Sequence, residues 1–326
     1  MLSCNIKLYN LPNDILDKIF YKNNLDSKQL VKLILTNKSL LNFVMIKYSK
    51  LYLSSLQELQ INKNDFRNIY EVDIFNCLGI IDTDIFKNCK ILKLRCCHNI
   101  TDVSKLGDVE HLDLSGCCEI INVSMLGKCN YLDLSNCNKI TNVSNLGNIE
   151  HLDLSNCEKI YNISQLGNHK YLSLKGCNIT SGLSSLKNVH TLDLSYCDNI
   201  TNISFLSNVY NLNVSYCLHI EIIYPINTVI FNAISTNIIN SDIAFLKNVK
   251  ELNIRNCLWV TDLSKLSNLE KLDIRGCKGL QILPPINNLK NISLSRDIYN
   301  KDHISKQLKD LYIYKDNCEI YIDYFC

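Results

Sequence analysis

The chain lacks several features that would point to particular classes of protein. Neither sign of charge dominates, because 34 basic residues accompany 32 acidic ones and the formal net charge is +2. No stretch reaches the roughly 18 uninterrupted apolar residues that a membrane-spanning helix needs, and residues 1–10 contain no leader-like apolar run. We therefore expect neither nucleic acid nor a membrane as a partner, and we expect an intracellular, cytoplasmic protein.

Catalytic signatures are missing from the sequence as well. It has no phosphate-binding loop, no paired carboxylates outside the repeated pattern described below, and no nucleophile with a base outside that pattern. We predict that the chain is not an enzyme, and that it has no catalytic residue, cofactor or metal.

The overall composition predicts a folded core. Apolar residues make up 47% of the chain and charged residues 20%, and 326 residues suffice for two average domains or one elongated array. Asn, Ile, Lys and Tyr are abundant, which indicates an AT-rich coding genome such as those of many protists and large DNA viruses. For a viral protein the compartment would be the host cytoplasm.

The 17 cysteines do not form the pattern of a disulfide framework. Their number is odd, and ten of them share one register with a period of twenty residues. These ten are Cys77, Cys97, Cys117, Cys137, Cys157, Cys177, Cys197, Cys217, Cys257 and Cys277. The cysteines therefore belong to an internal repeat.

One repeat is best seen in residues 151–170. Leu152 and Leu154 alternate as in a strand with one buried face, whereas the later apolar positions come every third residue, as in extended or 3₁₀ turns. Twelve such slots fit between Val72 and Ile292. About a dozen residues remain outside each strand, which is too few for a regular helix with two loops.

No single repeat can bury its apolar edge alone, so the repeats must stack into a parallel sheet with roughly 4.8 Å between strands. Each inward position then becomes a ladder of like side chains. The thirteenth position of the repeats gives one such ladder: Val103, Val123, Val143, Ile163, Leu183, Ile203, Ile243 and Leu263.

These residues resemble leucine-rich repeats, whose signature is L-x-x-L-x-L-x-x-N/C-x-L. Runs such as Cys137 to Asn142 resemble the cysteine-containing class, while the short outer limb is similar to the helix-free internalin type. The resemblance implies an α/β solenoid with a curved parallel sheet, a mostly non-helical convex side, and protein binding as its role. Its Cys slot is an interior turn position that bonds otherwise unpaired backbone groups, which is a stronger explanation than a metal ladder. The reactivity of Cys96 and Cys118, beside that ladder, stays open.

Two slots depart from the pattern. Asn232 occupies a leucine position and Asn237 a cysteine position, which predicts a local slip, with Phe231 packing inward and a bulged strand. In the last slot, Asp297 replaces the cysteine. After it, two alternating Tyr/Ile runs in residues 311–325 predict a terminal hairpin that covers the open end of the sheet.

The amino-terminal segment does not carry the repeat. Leu11-Pro12 followed by apolar residues at helical spacing predicts an amphipathic helix, and Asp26-Ser27 can cap a second one. The segment resembles an F-box, although the tryptophan common in that family is absent. The resemblance implies docking to the small linker subunit of a cullin–RING ubiquitin ligase through Leu11, Pro12, Ile15, Leu16 and Ile19.

The predicted domain organisation follows from these patterns. We expect an F-box-like helical segment at 1–50, a truncated joining repeat at 51–71, the repeat array at 72–298, and a carboxyl-terminal cap at 299–326.

A partner would contact the side chains that point away from the leucines of each strand. We predict a concave binding face that combines an acidic column, an aromatic column and two arginines near the carboxyl end. Its residues are His111, Asp113, Tyr131, Asp133, His151, Asp153, Tyr171, Asp193, Arg255 and Arg275, with Phe231, Tyr196 and Tyr216 nearby. The alternative for the acidic column is that Leu-Asp-Leu-Ser is simply the common strand sequence of such repeats.

The sequence favours a substrate-recognition adaptor of a ubiquitin ligase, in which the repeats hold a protein substrate. The alternative is a binding scaffold whose first fifty residues only cap the array. A secreted receptor would fit the many Asn-x-Ser/Thr sites but not the missing leader or the unpaired cysteines.

Overall fold

A computed structural model describes residues 50–54, 70–76, 80, 82–222, 224, 226–285, 288–314 and 319–323. The predicted F-box-like residues Leu11, Pro12, Ile15, Leu16 and Ile19 lie outside the described residues, as does Cys77. The chain divides into two compact units, Met1–Lys139 and Ile140–Cys326.

The described residues of the first unit form five parallel strands. They are β1 (Lys50–Ser54), β2 (Glu71–Phe75), β3 (Ile91–Arg95), β4 (His111–Asp113) and β5 (Tyr131–Asp133), each paired with the next. Short 3₁₀ turns at Thr83–Phe86 and Ser124–Leu126 form part of the outer limb.

In the second unit the described residues form nine strands, which also pair in the parallel direction. They are β6 (His151–Asp153), β7 (Tyr171–Ser173), β8 (Thr191–Asp193), β9 (Asn211–Asn213), β10 (Ile230–Asn232), β11 (Glu251–Asn253), β12 (Lys271–Asp273), β13 (Asn291–Ser295) and β14 (Glu319–Asp323). Its 3₁₀ turns span Ser144–Leu146, Leu183–Asn188 and Ser204–Leu206, and its α-helices are α1 (Asn240–Ile243), α2 (Arg296–Tyr299) and α3 (Asp302–Tyr314).

The twenty-residue register predicted from the sequence is confirmed within each unit. In the first unit Leu92 pairs with Leu112 and Leu112 with Leu132; in the second, Leu172 pairs with Leu192. These leucines are almost completely buried, because the alternation of the strands turns them towards the core. Leu183 is an exception to the predicted ladders, since it is half-buried while Ile179 takes an inward position in that repeat.

Side-chain carbonyl oxygens shape both bends of the repeat. At the twelfth position an Asx-turn opens the outer limb: Asn142 Oδ1 accepts from the backbone N–H of Ser144 at 3.0 Å, and Asn202 Oδ1 from that of Ser204 at 2.9 Å. The recurring Asn-x-Ser sequence is therefore explained by turn geometry. After each of the strands β2 to β12, the residue at the sixth position adopts a left-handed conformation, as Asn136 does at φ 61°.

The repeat around residue 230 confirms the predicted slip but corrects two details of it. Phe231 packs inward at the leucine position: it is fully buried and pairs with Leu212 and Leu252. Thr236, buried, occupies the cysteine position, and Asn237 is exposed. The strand pairs regularly instead of bulging, because the one-residue shortening falls in the loop before it. Phe231 is consequently absent from the exposed aromatic column.

The carboxyl-terminal hairpin is also replaced by a different structure. Residues 311–314 continue helix α3, and β14 pairs with β13 in the parallel direction. Ile304 and Leu308, four residues apart, bury one face of that helix. Because a parallel strand needs a crossover of a dozen or so residues, the helix supplies the connection that a hairpin turn could not.

Candidate protein-binding surfaces

The aspartates of the predicted acidic column have a structural role in every strand where they occur. Asp153 Oδ1 accepts hydrogen bonds from both the backbone N–H and the hydroxyl of Ser155, at 2.8 and 2.5 Å. Asp113, Asp133 and Asp193 bond the serine two residues on in the same way, with N–O distances of 2.8 to 3.0 Å. The Leu-Asp-Leu-Ser sequence thus closes the turn at the strand's end, while the half-buried carboxylates still border the sheet face.

The first unit brings together all four sheet-face residues predicted there. His111 and Tyr131, on neighbouring strands, stack with ring centroids 4.6 Å apart and 9° between planes. Asp113 and Asp133 lie two residues further along the same strands. Arg95 bonds Asp73 at 2.6 Å and lies 3.9 Å from Asp113, so part of this negative charge is compensated within the chain.

The second unit repeats the arrangement on its own strands. His151 stacks on Tyr171 at 6.1 Å, and Asp153 and Asp193 lie on β6 and β8. At the residue preceding β8 and β9, His190 and Tyr210 form another stack at 4.8 Å. Aromatic pairs on adjacent strands are therefore a recurrent property of this surface.

The two predicted arginines lie one repeat apart at the ends of β11 and β12. Arg275 donates hydrogen bonds to the carboxylate of Asp273 from Nε, at 3.0 Å to Oδ1, and from Nη2, at 2.6 Å to Oδ2. Its Nη1 lies 3.6 Å from Oδ2 of a second carboxylate, that of Asp323. Arg255 is half-buried, and its backbone N–H bonds Asn253 Oδ1 at 3.3 Å. The charge of Arg275 is thus balanced inside the molecule.

The cysteine ladder forms a series of thiol-to-backbone hydrogen bonds. Seven of the ladder thiols donate to the carbonyl at the fourth position of the preceding repeat, as Cys117 does to Leu94 at 2.9 Å in the first unit and Cys177 to Leu154 at 3.0 Å in the second. Burial raises the pKa of Cys177 and of Cys277 to about 12, so these thiols stay protonated at neutral pH. These backbone bonds account for the twenty-residue spacing of the cysteines.

Two thiols beside the ladder differ from those within it. Cys96 and Cys118 are partly exposed, and Cys118 Sγ lies 3.5 Å from His98 Nδ1. Among the described residues, no group of three or more His, Cys, Asp or Glu side chains is arranged to hold a metal ion.

His169 occupies a position that carries valine or isoleucine in several repeats, such as Val189 and Val209. Its side chain is only 1% exposed. Nδ1 bonds the carbonyl of Ile149, whereas Nε2 is buried without a hydrogen-bond partner. Burial lowers the pKa of His169, because the imidazolium would lose its hydration.

Tyr196 and Tyr216 were predicted from the sequence only to lie near the aromatic column. The structure places both at the left-handed sixth position, with φ of 61° and 64°, at the edge where the strands end. Their rings stack at 4.4 Å and 11°. The signal was available in the sequence, since most other repeats have Asn or Gly at that position.

An open groove of about 780 Å³ beside Leu218, lined also by Ile239 and Phe245, had no sequence signal.

Comparisons with known proteins leave the family of the chain open. Neither a protein-family model nor a curated protein matches it. Among solved structures it is similar to an internalin, InlF, from Listeria monocytogenes, at 16% identity and a TM-score of 0.49, covering 82% of this chain and 93% of the other. A leucine-rich-repeat protein from Leptospira interrogans matches at 16% identity and a TM-score of 0.32 over the same shares of the two chains.

A third solved structure is the functional domain of InlJ from Listeria monocytogenes, described as including a cysteine ladder. It matches at 15% identity and a TM-score of 0.40, covering 74% of this chain and 67% of the other.

Within the part of the chain that the structure describes, no helix is long and apolar enough to cross a membrane. The leucine-rich-repeat architecture accordingly rests on this chain's own register, turns and ladders.

Proposed function

We propose that this chain is a non-catalytic protein-binding module that holds its partner on the sheet face of its repeats. The observation that carries the proposal is the recurrence of exposed or half-exposed His–Tyr stacks on adjacent strands, at His111–Tyr131 in one unit and His151–Tyr171 in the other. Aromatic side chains fixed on a rigid sheet are well suited to anchor a protein surface, because little conformational entropy is lost when they bind.

The charges of the same faces define the kind of partner. Asp113, Asp153 and Asp193 border the stacked rings and are half-buried, and their turn bonds use Oδ1. A partner with basic side chains would add a second interaction to each of these carboxylates. A protein substrate with a mixed aromatic and basic surface is therefore the expected ligand.

The test is capture of partners with the full chain as bait, followed by the substitutions Tyr131→Ala and Tyr171→Ala. Loss of the captured protein in either variant, with unchanged thermal unfolding, would support the proposal. Tyr161→Ala provides the matched control, because this exposed tyrosine lies on the outer limb. Retention of every partner by the double variant would count against the sheet face as the binding surface.

The finer form of the proposal is an adaptor that presents the bound protein to a cullin–RING ubiquitin ligase. Its support is the sequence resemblance of residues 11–38 to an F-box, placed directly before the repeats. The expected contacts of the linker subunit are Leu11, Pro12, Ile15, Leu16 and Ile19. Co-purification of that subunit with the full chain, lost in Ile15→Asp while the repeat partner stays bound, would support the adaptor. A chain that captures its partner but never the linker subunit would be a scaffold alone.

A further inference from the structure

The stretch 201–240 is almost devoid of charge. Glu221 is its only Lys, Arg, Asp or Glu, whereas the chain average of 20% would give about eight in forty residues. Large apolar side chains are nevertheless exposed there, namely Phe205, Tyr210, Tyr216, Leu218, Tyr224 and Ile239. Depletion of charge together with exposed aromatic residues is the composition of the buried centre of a protein interface.

Tyr196 and Tyr216 occupy backbone positions that disfavour them. Bulky residues rarely adopt a positive φ, and the other described sixth positions hold Asn, Gly, Ser or Cys. In spite of this, two successive repeats carry tyrosine, and the side chains are 48% and 38% exposed. Since burial does not require these rings, their retention in a strained conformation is better explained by contact with a ligand.

The stack of these rings is covered at one end and open at the other. Lys175 Nζ lies 5.3 Å from the centre of the Tyr196 ring, and the other face of that ring meets Tyr216. The next sixth position holds Ser235, whose Oγ accepts a hydrogen bond from Asn256 at 3.4 Å. A serine is too small to cover the outer face of Tyr216, so a flat aromatic surface is left for a partner's ring.

Further apolar side chains continue this edge at a defined spacing. Leu218 follows Tyr216 by two residues, and Leu258 and the single tryptophan, Trp259, lie two repeats further on; all three are exposed, Trp259 by 63%. Two strand spacings correspond to roughly 9.6 Å. One turn of a polyproline II helix advances roughly 9.3 Å, so prolines one turn apart match the spacing between Leu218 and Leu258.

We propose that the aromatic edge, formed by Tyr196, Tyr216, Leu218, Leu258 and Trp259, binds an uncharged, proline-rich extended segment of a partner protein. Pyrrolidine rings pack on flat aromatic faces, and the extended segment loses little entropy on binding because it is already ordered. The near absence of charge in residues 201–240 fits a ligand that is held without ion pairs. The groove beside Leu218 and Ile239 offers room for a side chain next to the proline ring. This surface is distinct from the sheet face and does not depend on its function.

The experiment uses the full chain and a panel of fluorescein-labelled, uncharged peptides with proline at every third position. Binding is followed by fluorescence anisotropy, and by protection of Trp259 from acrylamide quenching. The key variant is Tyr216→Asn, because asparagine occupies this position at Asn136, Asn156 and Asn256 and should preserve the fold. Tyr161→Ser removes an exposed tyrosine elsewhere in the same unit as a matched control. A peptide with alanine in place of proline tests the extended conformation.

The proposal predicts saturable peptide binding that protects Trp259 from the quencher. In Tyr216→Asn the affinity should fall by roughly tenfold or more while the unfolding temperature stays unchanged or rises. In Tyr161→Ser the affinity should not fall. The alanine peptide should bind at least tenfold more weakly. Failure of the whole panel to bind, or equal binding by Tyr216→Asn, would overturn it. So would binding of phosphatidylcholine vesicles instead of peptide, or self-association abolished by Tyr216→Asn, which would assign the edge to a membrane or to a second copy.

Discussion

Replacing the buried histidine of the second unit tests the energetic reasoning most quantitatively. His169→Val installs the residue found at the equivalent positions Val189 and Val209. In the wild-type chain, Nε2 of His169 is buried without a partner, which costs about 1–3 kcal/mol. Valine removes that cost but also the bond to the Ile149 carbonyl. We expect a net gain of about 1 kcal/mol in the free energy of unfolding near neutral pH.

The pH dependence of the free energy of unfolding gives a second test of the same residue. Burial lowers the pKa of His169 in the folded chain, so below the ordinary value of about 6.5 the unfolded chain binds the extra proton. Folding is therefore disfavoured by acid. Lowering the pH from about 7.5 to about 5.5 therefore reduces the free energy of unfolding through this residue, by at most about 1.4 kcal/mol, the limit for an imidazole that binds no proton in the folded chain. His169→Val should lose less stability than the wild type over that interval.

The assay is urea unfolding at the two pH values, followed by the fluorescence of Trp259, which lies in the same unit as His169. His219→Gln, at an exposed position of that unit, controls for the loss of a histidine as such. An identical pH dependence in wild type and His169→Val would refute the assignment of a buried neutral imidazole.

Three further substitutions or measurements test other parts of the structure. Cys177→Ala should lower the free energy of unfolding by about 1–2 kcal/mol, since it removes a buried thiol and its bond to the Leu154 carbonyl. Cys118→Ala, at a partly exposed site, should change the free energy of unfolding by less than about 0.5 kcal/mol. Equal effects of the two substitutions in urea unfolding would contradict this. Native-state alkylation at neutral pH, read by mass spectrometry, should modify Cys118 while Cys177 and Cys277, with pKa about 12, stay unmodified; rapid labelling of the ladder would disprove its burial. Asp153→Ala should lower the free energy of unfolding by about 1 kcal/mol, because the turn bond to Ser155 is lost. Asp153→Asn should leave the free energy of unfolding nearly unchanged, because Asn213 and Asn253 occupy the same position in other repeats. An equal loss of stability in both variants would mean that the charge of Asp153, and not its turn bond, is what stabilises the chain.

Much of the architecture follows from the sequence because each repeat confirms the next. The strand of residues 151–153 and the inward leucines are predicted from a period of twenty residues and the alternation of the strand, and the bonding role of Cys177 from the resemblance to leucine-rich repeats. The same redundancy explains why the core positions needed no other information.

The errors occurred where neighbouring residues imitate the pattern. The slip at Phe231 was predicted, but Asn237 stands at the expected spacing of the cysteine position, so the place of Thr236 is not evident until its burial is known. Residues 311–314 alternate as a strand would, but Ile304 and Leu308 had already set a helical period. Competition between two local patterns is decided by packing, which a single sequence does not specify.

The candidate surfaces were predicted less completely than the core. The positions of His111, Tyr131, His151 and Tyr171 on the sheet face follow from strand alternation. The pairing of Arg275 with Asp273 and Asp323 does not, because Asp323 reaches it through a helix and strand that the sequence analysis had arranged differently. The stack of Tyr196 and Tyr216 depends on a left-handed backbone, for which the Asn and Gly residues at the same position of most other repeats were the available sequence signal.

Every surface discussed above depends on side chains twenty residues apart lying on adjacent strands. Methyl–methyl nuclear Overhauser effects in a chain with labelled leucines measure this directly within the second unit. Strong cross-peaks are expected for Leu172 with Leu192 and for Leu192 with Leu212, which pair across neighbouring strands, and much weaker ones for Leu172 with Leu212. Leucine methyls that contact only residues of their own repeat would contradict the stacked arrangement.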